Sequence, residues 1–503
     1  MEHVIKKQKT EGFNTFIPPS LLTPSQVQTR LGTFDFFDGI PDASSAERLF
    51  ECMDLVRGID CFLDLMPMAS LEALRTGHAK LGVDKCTDVL IMDRLIDSNP
   101  LWLTANTDTV YCSSFLDLER DGPTVVEIPA GCGPGFVNDA FFRFVIDMGP
   151  AGPDRGRGGK YLLLPPDYAG FGLPEGGAEA EVGGVKYFAV KSKSYVHWLI
   201  LRGFLVEGKP EAAVKMFKEG LKVYPLSSAA SPPKMAWVSG SEKVQNTIHS
   251  NDFQFYEEIH AVLNKEHLDF LEPELRGRAA SIGIQKGKPF APSDKLRKTL
   301  VEAVAVANAM ARAVSFTPRD EECQFYGKGG GWYTPFVGGD YRWLRDQGAG
   351  GRHHDARLMF FYLATGNSPA MAMKMVGKGS QYGCVSADDK GAPLDGAAAY
   401  TLTLPPGVPA KDFWSFVIYD PQTRSELQTG QPFPSKNSIR NKDMQWSPDG
   451  SITLYFGPQA PTGKDANWIQ TVPGKAWFAL LRLYGPLEAW FDKTWIPGRI
   501  LKQ

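Results

Sequence analysis

Residues 103–129 read LTANTDTVYCSSFLDLERDGPTVVEIP, and this stretch decides the fold class. From residue 110 onward every second position carries an apolar or small side chain: Val110, Cys112, Ser114, Leu116 and Leu118. Because successive side chains of a β-strand point to opposite faces, this period of two predicts a half-buried strand. Gly122 and Pro123 give a turn signal before TVVEI, which predicts a second strand at residues 124–128.

The same signature recurs on both sides of a helical middle. Further strands are predicted at residues 141–148, 161–164 and 187–192, and strands resume from residue 400 to the end, as in DFWSFVIYD and ITLYF. Between them, residues 294–314 carry apolar side chains at intervals of three and four, which predicts an amphipathic helix. Helical patterns also cover residues 45–75, the region from residue 197, and residues 358–375, with a second short helix expected after Pro67.

We therefore predict a mainly β protein with helical insertions, of the α+β class. Its 503 residues exceed what one hydrophobic core organises, so several domains are expected. The predicted domains are an N-terminal extension (1–44), a helix plus first β domain (45–195), a helical middle region (196–380) and a C-terminal β-sandwich (381–503). The two β domains are expected to be sandwiches or jelly-roll-like.

Composition excludes several classes of function. The 54 Lys and Arg nearly balance the 57 Asp and Glu, so no strong field draws in nucleic acid or an anionic membrane. No run approaches 18 apolar residues, which argues against a membrane-spanning helix. The seven cysteines are scattered without a C-x-x-C pair, and no apolar segment follows the first ten residues. A cytoplasmic location is predicted.

Motifs for metal and nucleophile chemistry are missing from the sequence. There is no H-E-x-x-H, no G-x-S-x-G and no phosphate-binding P-loop, so neither a metal nor a nucleotide cofactor is expected. Adjacent His353 and His354 diverge on either a strand or a helix and make a poor pair of ligands. A metal held by these two with Asp355 remains a third possibility.

Charged residues inside apolar strands are the best clues to a site. In FFRFVIDMG, alternation puts Arg143 and Asp147 on the face of Phe141 and Val145. In WFALLRLYGP, Arg482 lies on the face of Phe478, Leu480 and Tyr484. A buried guanidinium needs an acidic or carbonyl partner or a ligand anion. Structural pairing is the commoner outcome, and a catalytic role is the alternative.

The segment TANTDTVY, residues 104–111, concentrates polar groups where a strand begins. Asn106, Asp108 and Thr109 either bond to their own backbone in a turn or face a pocket beside Tyr111. In the second reading Asp108 is a general acid or base, together with Arg143, Asp147 and Arg482. Further substrate contacts are expected from aromatic, amide and guanidinium side chains: Trp414, Tyr419, Arg440, Asn467 and Trp468. An aromatic-rich sandwich core gives the same pattern.

Two long stretches resemble known families. Residues 103–129, continuing through VNDAFFRFVIDMGPAGPDRGRGGKYLLLPPDY to LRGFLVEG and VYPL, resemble the family called domain of unknown function 1254. The run LDGAAAYTLTLPPGVPAKDFWSFVIYDPQTRSELQTGQPFPS, with DGSITLYFGPQAPTGKDANWIQTVPGKAWFALLRLYGPLEAWFDKTW, resembles domain of unknown function 1214. The resemblance implies jelly-roll-like sandwiches with helical insertions, in chains that often form oligomers. It supplies no catalytic residues.

The sequence thus favours an enzyme that acts on a small polar organic molecule by acid/base chemistry of hydrolase or lyase type. It would need no cofactor, contact no nucleic acid or membrane, and form a homo-oligomer. The alternative is a non-catalytic protein that binds a carbohydrate or other ligand, or serves assembly, through two β-sandwiches.

Overall fold

The computed structural model describes residues 15–325 and 331–503. Residues 1–14 of the predicted N-terminal extension lie outside the described residues, as does part of the glycine-rich stretch near residue 327. The α-helices are α1 (Ala43–Ala79), α2 (Leu118–Asp121), α3 (Glu211–Gly220), α4 (Gln254–Lys265), α5 (Pro273–Ser281), α6 (Asp294–Phe316), α7 (His354–Leu363), α8 (Pro369–Ala372) and α9 (Glu488–Phe491).

The strands fall into an N-terminal and a C-terminal group. The first group is β1 (Gln26–Thr29), β2 (Gly32–Phe37), β3 (Ile40–Pro41), β4 (Asp88–Ile91), β5 (Thr109–Asp117), β6 (Thr124–Ile128), β7 (Gly135–Asp139), β8 (Phe144–Met148), β9 (Gly159–Leu164), β10 (Ala178–Val182), β11 (Val185–Lys191), β12 (Val196–Phe204), β13 (Lys222–Pro225) and β14 (Ala236–Ser239). The second is β15 (Trp332–Tyr333), β16 (Ser380–Val385), β17 (Tyr400–Leu404), β18 (Ala410–Tyr419), β19 (Ser435–Asn437), β20 (Ile452–Gly457), β21 (Trp468–Gln470), β22 (Phe478–Pro486) and β23 (Ile500–Lys502).

Each group builds a sandwich of two sheets, and β1, β2 and β3 of the first group form a separate three-stranded sheet. In the N-terminal sandwich a six-stranded sheet, β14-β4-β5-β12-β7-β8, faces a five-stranded sheet, β10-β11-β9-β6-β13. Val110, Leu163 and Leu199 belong to the core between them. In the C-terminal sandwich β15-β16-β22-β18-β19 faces β21-β20-β17-β23, around Phe416 and Leu454. The predicted α+β, mainly β class is confirmed.

A third core lies between the two sandwiches and positions the site. Helices α1, α4, α6 and α7 contribute to it, together with the outer face of the six-stranded sheet and one face of the C-terminal five-stranded sheet. Trp198 of β12 and Tyr382 of β16 both belong to it, although they come from different sandwiches. The two sheets therefore present side chains to one shared interior.

Strand β12 corrects the helix that was predicted from residue 197. It pairs antiparallel with β5 along its whole length and with β7 on its other side. Seven of its nine residues are buried, because one face meets the sandwich core and the other meets the central core. A strand buried on both faces shows a continuous apolar run instead of alternation, which periodicity does not distinguish from a helix. For the same reason β5 is buried rather than half-buried.

Pro67 does not end the first helix, so the predicted second helix after it is wrong. Helix α1 runs for 37 residues with Pro67 inside it. Proline removes one backbone hydrogen bond of a helix, which destabilises it by ~3 kcal/mol. Residues 65–71 are all buried in the central core, and this packing compensates for the lost bond.

Helix α6 confirms the helix that was predicted at residues 294–314. It is long and apolar enough to cross a membrane by length and composition alone. Its buried side chains, such as Leu300, Val304 and Ala307, pack in the central core. The core helix of a protein that does not cross a membrane can have the same length and apolar composition.

Candidate functional site

Two small cavities lie where the six-stranded sheet meets the C-terminal five-stranded sheet. The first, of about 30 Å³, is lined by Tyr111, Arg202, Tyr382 and Arg482 among others. The second, of about 20 Å³, is lined by Asp147 and again by Arg202. Each has room for at least one water-sized group. We call these two cavities and their lining residues the inter-sandwich cleft.

Strand register places the charged and phenolic groups of the first cavity. Arg202 is the register partner of Tyr111 in the N-terminal sandwich, and Arg482 is the register partner of Tyr382 in the C-terminal one. The Arg202 guanidinium lies 5.5 Å from the Tyr111 ring centroid, and that of Arg482 lies 4.2 Å from the Tyr382 ring centroid. Cross-strand neighbours are within reach of such contacts. Two Arg–Tyr pairs, one from each sandwich, therefore meet in the cleft.

Arg482 is held by neutral groups. Its Nη1 donates to the Thr104 carbonyl at 2.9 Å and to the Tyr419 hydroxyl at 3.0 Å. The Tyr419 hydroxyl in turn donates to the Ala105 carbonyl at 2.6 Å. The Nε of Arg482 is buried and has no hydrogen-bond partner in the described part of the chain. The guanidinium is thus fixed in place with one donor unused.

The Tyr382 hydroxyl has an altered acidity in the cleft. Burial raises the pKa of its hydroxyl, but the charges of Arg482 and then Arg202 outweigh burial, so the pKa is lowered from 10.0. Ser380 donates a hydrogen bond of 3.1 Å to the same oxygen. Tyr484 behaves oppositely, because burial and then the Asp108 charge raise its pKa. Tyr382 is therefore the phenol in this cluster that is disposed to lose its proton.

Asp147 supplies a second titratable group, in the other cavity. Burial raises its pKa to about 7, against the opposing effects of a hydrogen bond from Ser368 and the charge of Arg202. A carboxyl group with this pKa exchanges protons near neutral pH, which suits acid/base chemistry. Arg202 lies between the two titratable groups, since it lines both cavities.

Asp108 lies behind the cleft and joins the two sandwiches. Its Oδ1 accepts from Asn437 Nδ2 at 2.9 Å and from Thr107 Oγ1 at 3.3 Å. Its Oδ2 accepts from Ser415 Oγ, and from Tyr484 Oη at 3.2 Å. Asn437, Ser415 and Tyr484 belong to the C-terminal sandwich, so the carboxylate is used by protein groups from the other half of the chain. The Asp108 carboxylate therefore joins the N-terminal and C-terminal sandwiches.

Residues 87–225 match the family model for a protein of unknown function, DUF1254, and residues 379–488 match that for DUF1214. Each half of the chain thus contains a region that matches one of the two family models. The order of the two regions agrees with the resemblance seen in the sequence. Asp108 lies in the DUF1254 region, and its partners Ser415, Asn437 and Tyr484 lie in the DUF1214 region.

A solved structure resembles this chain in fold. The crystal structure of the VPA0106 protein from Vibrio parahaemolyticus is 17% identical, with a TM-score of 0.53, and the match covers 90% of this chain and 100% of that one. An uncharacterised protein from Burkholderia cenocepacia is 12% identical, with a TM-score of 0.39 and coverage of 91% and 97%. A search of curated proteins finds no match.

In the DUF1254 region, the predicted residues separate into two groups. The side-chain Oδ1 of Asn106 accepts from Asp108 N at 2.9 Å and from Thr109 Oγ1 at 3.2 Å. The side-chain Nδ2 of Asn106 donates to the Tyr111 hydroxyl. The segment thus bonds to its own backbone in a turn, the first of the two alternatives. The hydrogen bond from Asn106 also fixes Tyr111 at the edge of the cleft. Arg143 lies elsewhere, in an ion pair of 2.6 Å with Asp139.

Arg143 and Asp147 do not share a face, although strict alternation predicted it. Arg143 precedes β8, and Phe142 before it has a left-handed φ of 52°. Between Arg143 and Asp147 the register of β8 with β7 shifts by one residue, and this β-bulge breaks the period of two. The Arg143 guanidinium lies 4.9 Å from the Phe270 ring centroid, outside both cavities.

In the DUF1214 region, two of the predicted residues belong to the cleft or contact it. Arg482 lines the first cavity, and Tyr419 accepts a hydrogen bond from Arg482. Arg440 donates to the Thr107 carbonyl at 3.0 Å and to Ser435 Oγ at 2.7 Å, so it helps join the sandwiches. The other three serve the C-terminal sandwich: Trp414 lies in its core, Asn467 bonds to Gln445 and Thr453, and Trp468 donates to the Gly457 carbonyl.

The adjacent histidines do not form a metal site with Asp355. His354 Nδ1 lies 3.2 Å from an Asp64 oxygen, whereas Asp355 pairs with Arg319 at 2.9 Å. The side chains thus point to different partners, as their adjacency predicted.

His353 instead belongs to a group with Asp320 and Glu322, whose ligand atoms lie within 4.8 Å of one another. His353 Nδ1 accepts a hydrogen bond from Ala356 N, which caps α7. That contact assigns the ring proton to Nε2, which donates to Asp320 at 2.7 Å. The imidazole is therefore already used at both nitrogens.

Sequence reasoning missed Arg202 and Tyr382. Arg202 satisfies the rule that singled out Arg482, a charge inside an apolar strand, but its segment was interpreted as helix. Tyr382 lies in SQYGCV, where a tyrosine at an alternate position is ordinary for a strand. Only the meeting of the two sheets gives it two guanidinium neighbours.

Proposed function

We propose that the chain is an enzyme that acts on a small polar organic molecule by acid/base chemistry, of hydrolase or lyase type, in the inter-sandwich cleft. The observation that carries the proposal is the Tyr382 hydroxyl, whose pKa is lowered because the charges of Arg482 and Arg202 outweigh the effect of burial. A phenolate formed there would accept a proton from the bound molecule. The two guanidinium groups would stabilise negative charge that develops beside it.

Asp147 would be the second proton-transfer group. Its pKa, raised to about 7 chiefly by burial, allows it to donate a proton at neutral pH. Tyr382 and Asp147 lie in neighbouring cavities that share Arg202. Both pKa shifts are toward neutral pH, where a general acid or base transfers protons most effectively.

The competing function is ligand binding without turnover. Aromatic walls such as Trp102 and Trp198 would serve it equally well. A pocket used only for binding needs no titratable group, however, and two titratable groups line this cleft. That difference favours the enzyme. The small-molecule partner, the absence of a nucleotide cofactor, the cytoplasmic location and the homo-oligomer stay predictions from the sequence.

A turnover screen with a matched pair of variants tests this function. Small hydroxy acids, keto acids, esters and lactones would be incubated with the full chain and followed by proton NMR. For any compound that is turned over, Tyr382→Phe should lower kcat by ~100-fold or more and remove the limb of the pH profile that reports the base. Tyr455→Phe, on the outer face of the C-terminal sandwich, is the control for removing a phenol. Unchanged kcat in folded Tyr382→Phe would refute the assignment.

A further inference from the structure

The first cavity carries uncompensated positive charge. Arg202 and Arg482 both line it, and within residues 15–325 and 331–503 neither forms an ion pair with a carboxylate. Asp108, behind the cleft, already accepts hydrogen bonds from Asn437 and Tyr484. Buried cations are costly unless an anion or several hydrogen bonds compensate them. An anion in the cavity would meet this need.

An unused donor points the same way. Arg482 is 3% exposed, and its Nε is buried without a hydrogen-bond partner in the described residues. A buried donor without an acceptor is destabilising. Its Nη1, by contrast, is occupied by Thr104 and Tyr419. The guanidinium is therefore held by Nη1, while its Nε has no acceptor among the described residues.

The size and walls of the cavity select the kind of anion. Its volume of about 30 Å³ suits a group of a few atoms, and Trp102, Trp198 and Met371 give it apolar walls. A carboxylate is planar, carries one charge and matches the fork of a guanidinium. A phosphate dianion is bulkier and loses more hydration energy beside apolar walls.

We infer that the ligand is a short-chain carboxylate whose carboxylate group binds between Arg202 and Arg482, next to the Tyr382 hydroxyl. This inference rests on the proposed function only in calling that ligand the substrate. Met371 and Arg202 line both cavities, so the remainder of the molecule extends past them toward Ser368 and Asp147. The reacting centre then lies between the two proton-transfer groups.

Calorimetry and thermal unfolding of the full chain with sodium acetate test the binding step, with acetamide and sodium phosphate as comparison probes at constant ionic strength. Acetate should bind saturably and raise Tm, whereas acetamide should not. Arg202→Gln should weaken acetate binding at least 10-fold, with partial recovery in Arg202→Lys. Arg94→Gln, which removes an exposed ion pair with Glu242, should bind acetate like the parent chain.

A second measurement does not require the arginine variants. Tyrosinate absorbance near 295 nm reports the ionisation of Tyr382, identified by its loss in Tyr382→Phe. Bound acetate offsets the two guanidinium charges, so it should move this ionisation to higher pH. Acetamide should leave it unchanged.

Three results would overturn the carboxylate site: no saturable acetate binding, equal acetate affinity in folded Arg202→Gln, or phosphate affinity at least 10-fold above that of acetate. Tyr382→Phe keeps the aromatic ring under Arg482 and should still bind acetate. Acetate binding together with undiminished turnover in Tyr382→Phe would refute the proposed function and leave the carboxylate site standing. Turnover that depends on Tyr382, in a protein that does not bind acetate, would refute the carboxylate site and leave the proposed function standing.

Discussion

The Asn437 side-chain amide donates a hydrogen bond of 2.9 Å to Oδ1 of Asp108, although 329 positions separate the two residues in the chain. Ser415 and Tyr484 donate to the other carboxylate oxygen. One buried carboxylate of the DUF1254 region thus collects three donors from the DUF1214 region. This explains why Asp108 is buried and also why it is not exposed to a ligand in the cleft.

Asp108→Asn should destabilise the whole chain by about 2–3 kcal/mol, because the new amide offers donors where the partners also donate. Urea unfolding followed by fluorescence measures the loss. Asp443→Asn, at an exposed position, should change the free energy of unfolding by less than about 0.5 kcal/mol. A matching small change in Asp108→Asn would show that the carboxylate does not hold the sandwiches together.

Asp147 should make stability depend on pH in a definite direction. Its pKa is raised from 3.8 to about 7, first by burial. Between these values the folded state keeps a proton that the unfolded chain has released, so the free energy of unfolding falls as pH rises. The contribution is at most about 4 kcal/mol.

Asp147→Asn should remove that contribution, and urea unfolding at pH 5 and pH 8 measures it. Between pH 5 and pH 8 the parent chain should lose more unfolding free energy than the variant does, so the variant should be relatively more stable at pH 8. Taking this difference cancels the titration of other raised carboxyls, such as Glu258 and Glu266. The idea fails if the difference is the same at both pH values.

Gly379 should not tolerate a side chain. It lines the second cavity with a φ of 64°, and a Cβ there would overlap the Ala370 carbonyl oxygen. Gly377 has a similar φ of 72°, but its Cβ would meet only the flexible Lys411 side chain, at 3.7 Å. Gly377→Ala should therefore cost about 1–2 kcal/mol from the backbone alone.

Gly379→Ala should cost at least about 2 kcal/mol more than Gly377→Ala, because backbone atoms must move. Thermal unfolding of the two variants side by side gives the comparison. Equal losses would mean that the segment around Ala370 yields easily, and that the second cavity is less rigid than its packing indicates.

Purified protein should contain metal well below one ion per chain. His353 uses Nδ1 to cap α7 and Nε2 to bind Asp320, so a metal would have to displace both a proton and a hydrogen bond. Elemental analysis after purification without chelators checks this, and added Zn²⁺ should not raise Tm. Stoichiometric metal that disappears in His353→Ala would contradict the expectation.

The sequence by itself determined the strands with clear alternation, the helix α6 and the unusual position of Arg482. These depend on local periodicity, and a charged side chain in an apolar strand is visible without any neighbour. The same local signal failed where a β-bulge lies between Arg143 and Asp147, and where β12 is buried on both faces.

Only the tertiary structure decided which of these residues meet. Arg202 and Tyr382 come from different sandwiches, and their proximity follows from the packing of two sheets against one core. The pKa of Tyr382 is likewise lowered because two guanidinium charges, from residues far apart in the chain, outweigh the effect of burial. Electrostatic and packing energies depend on distances between residues far apart in the chain, and periodicity along one segment carries no information about them.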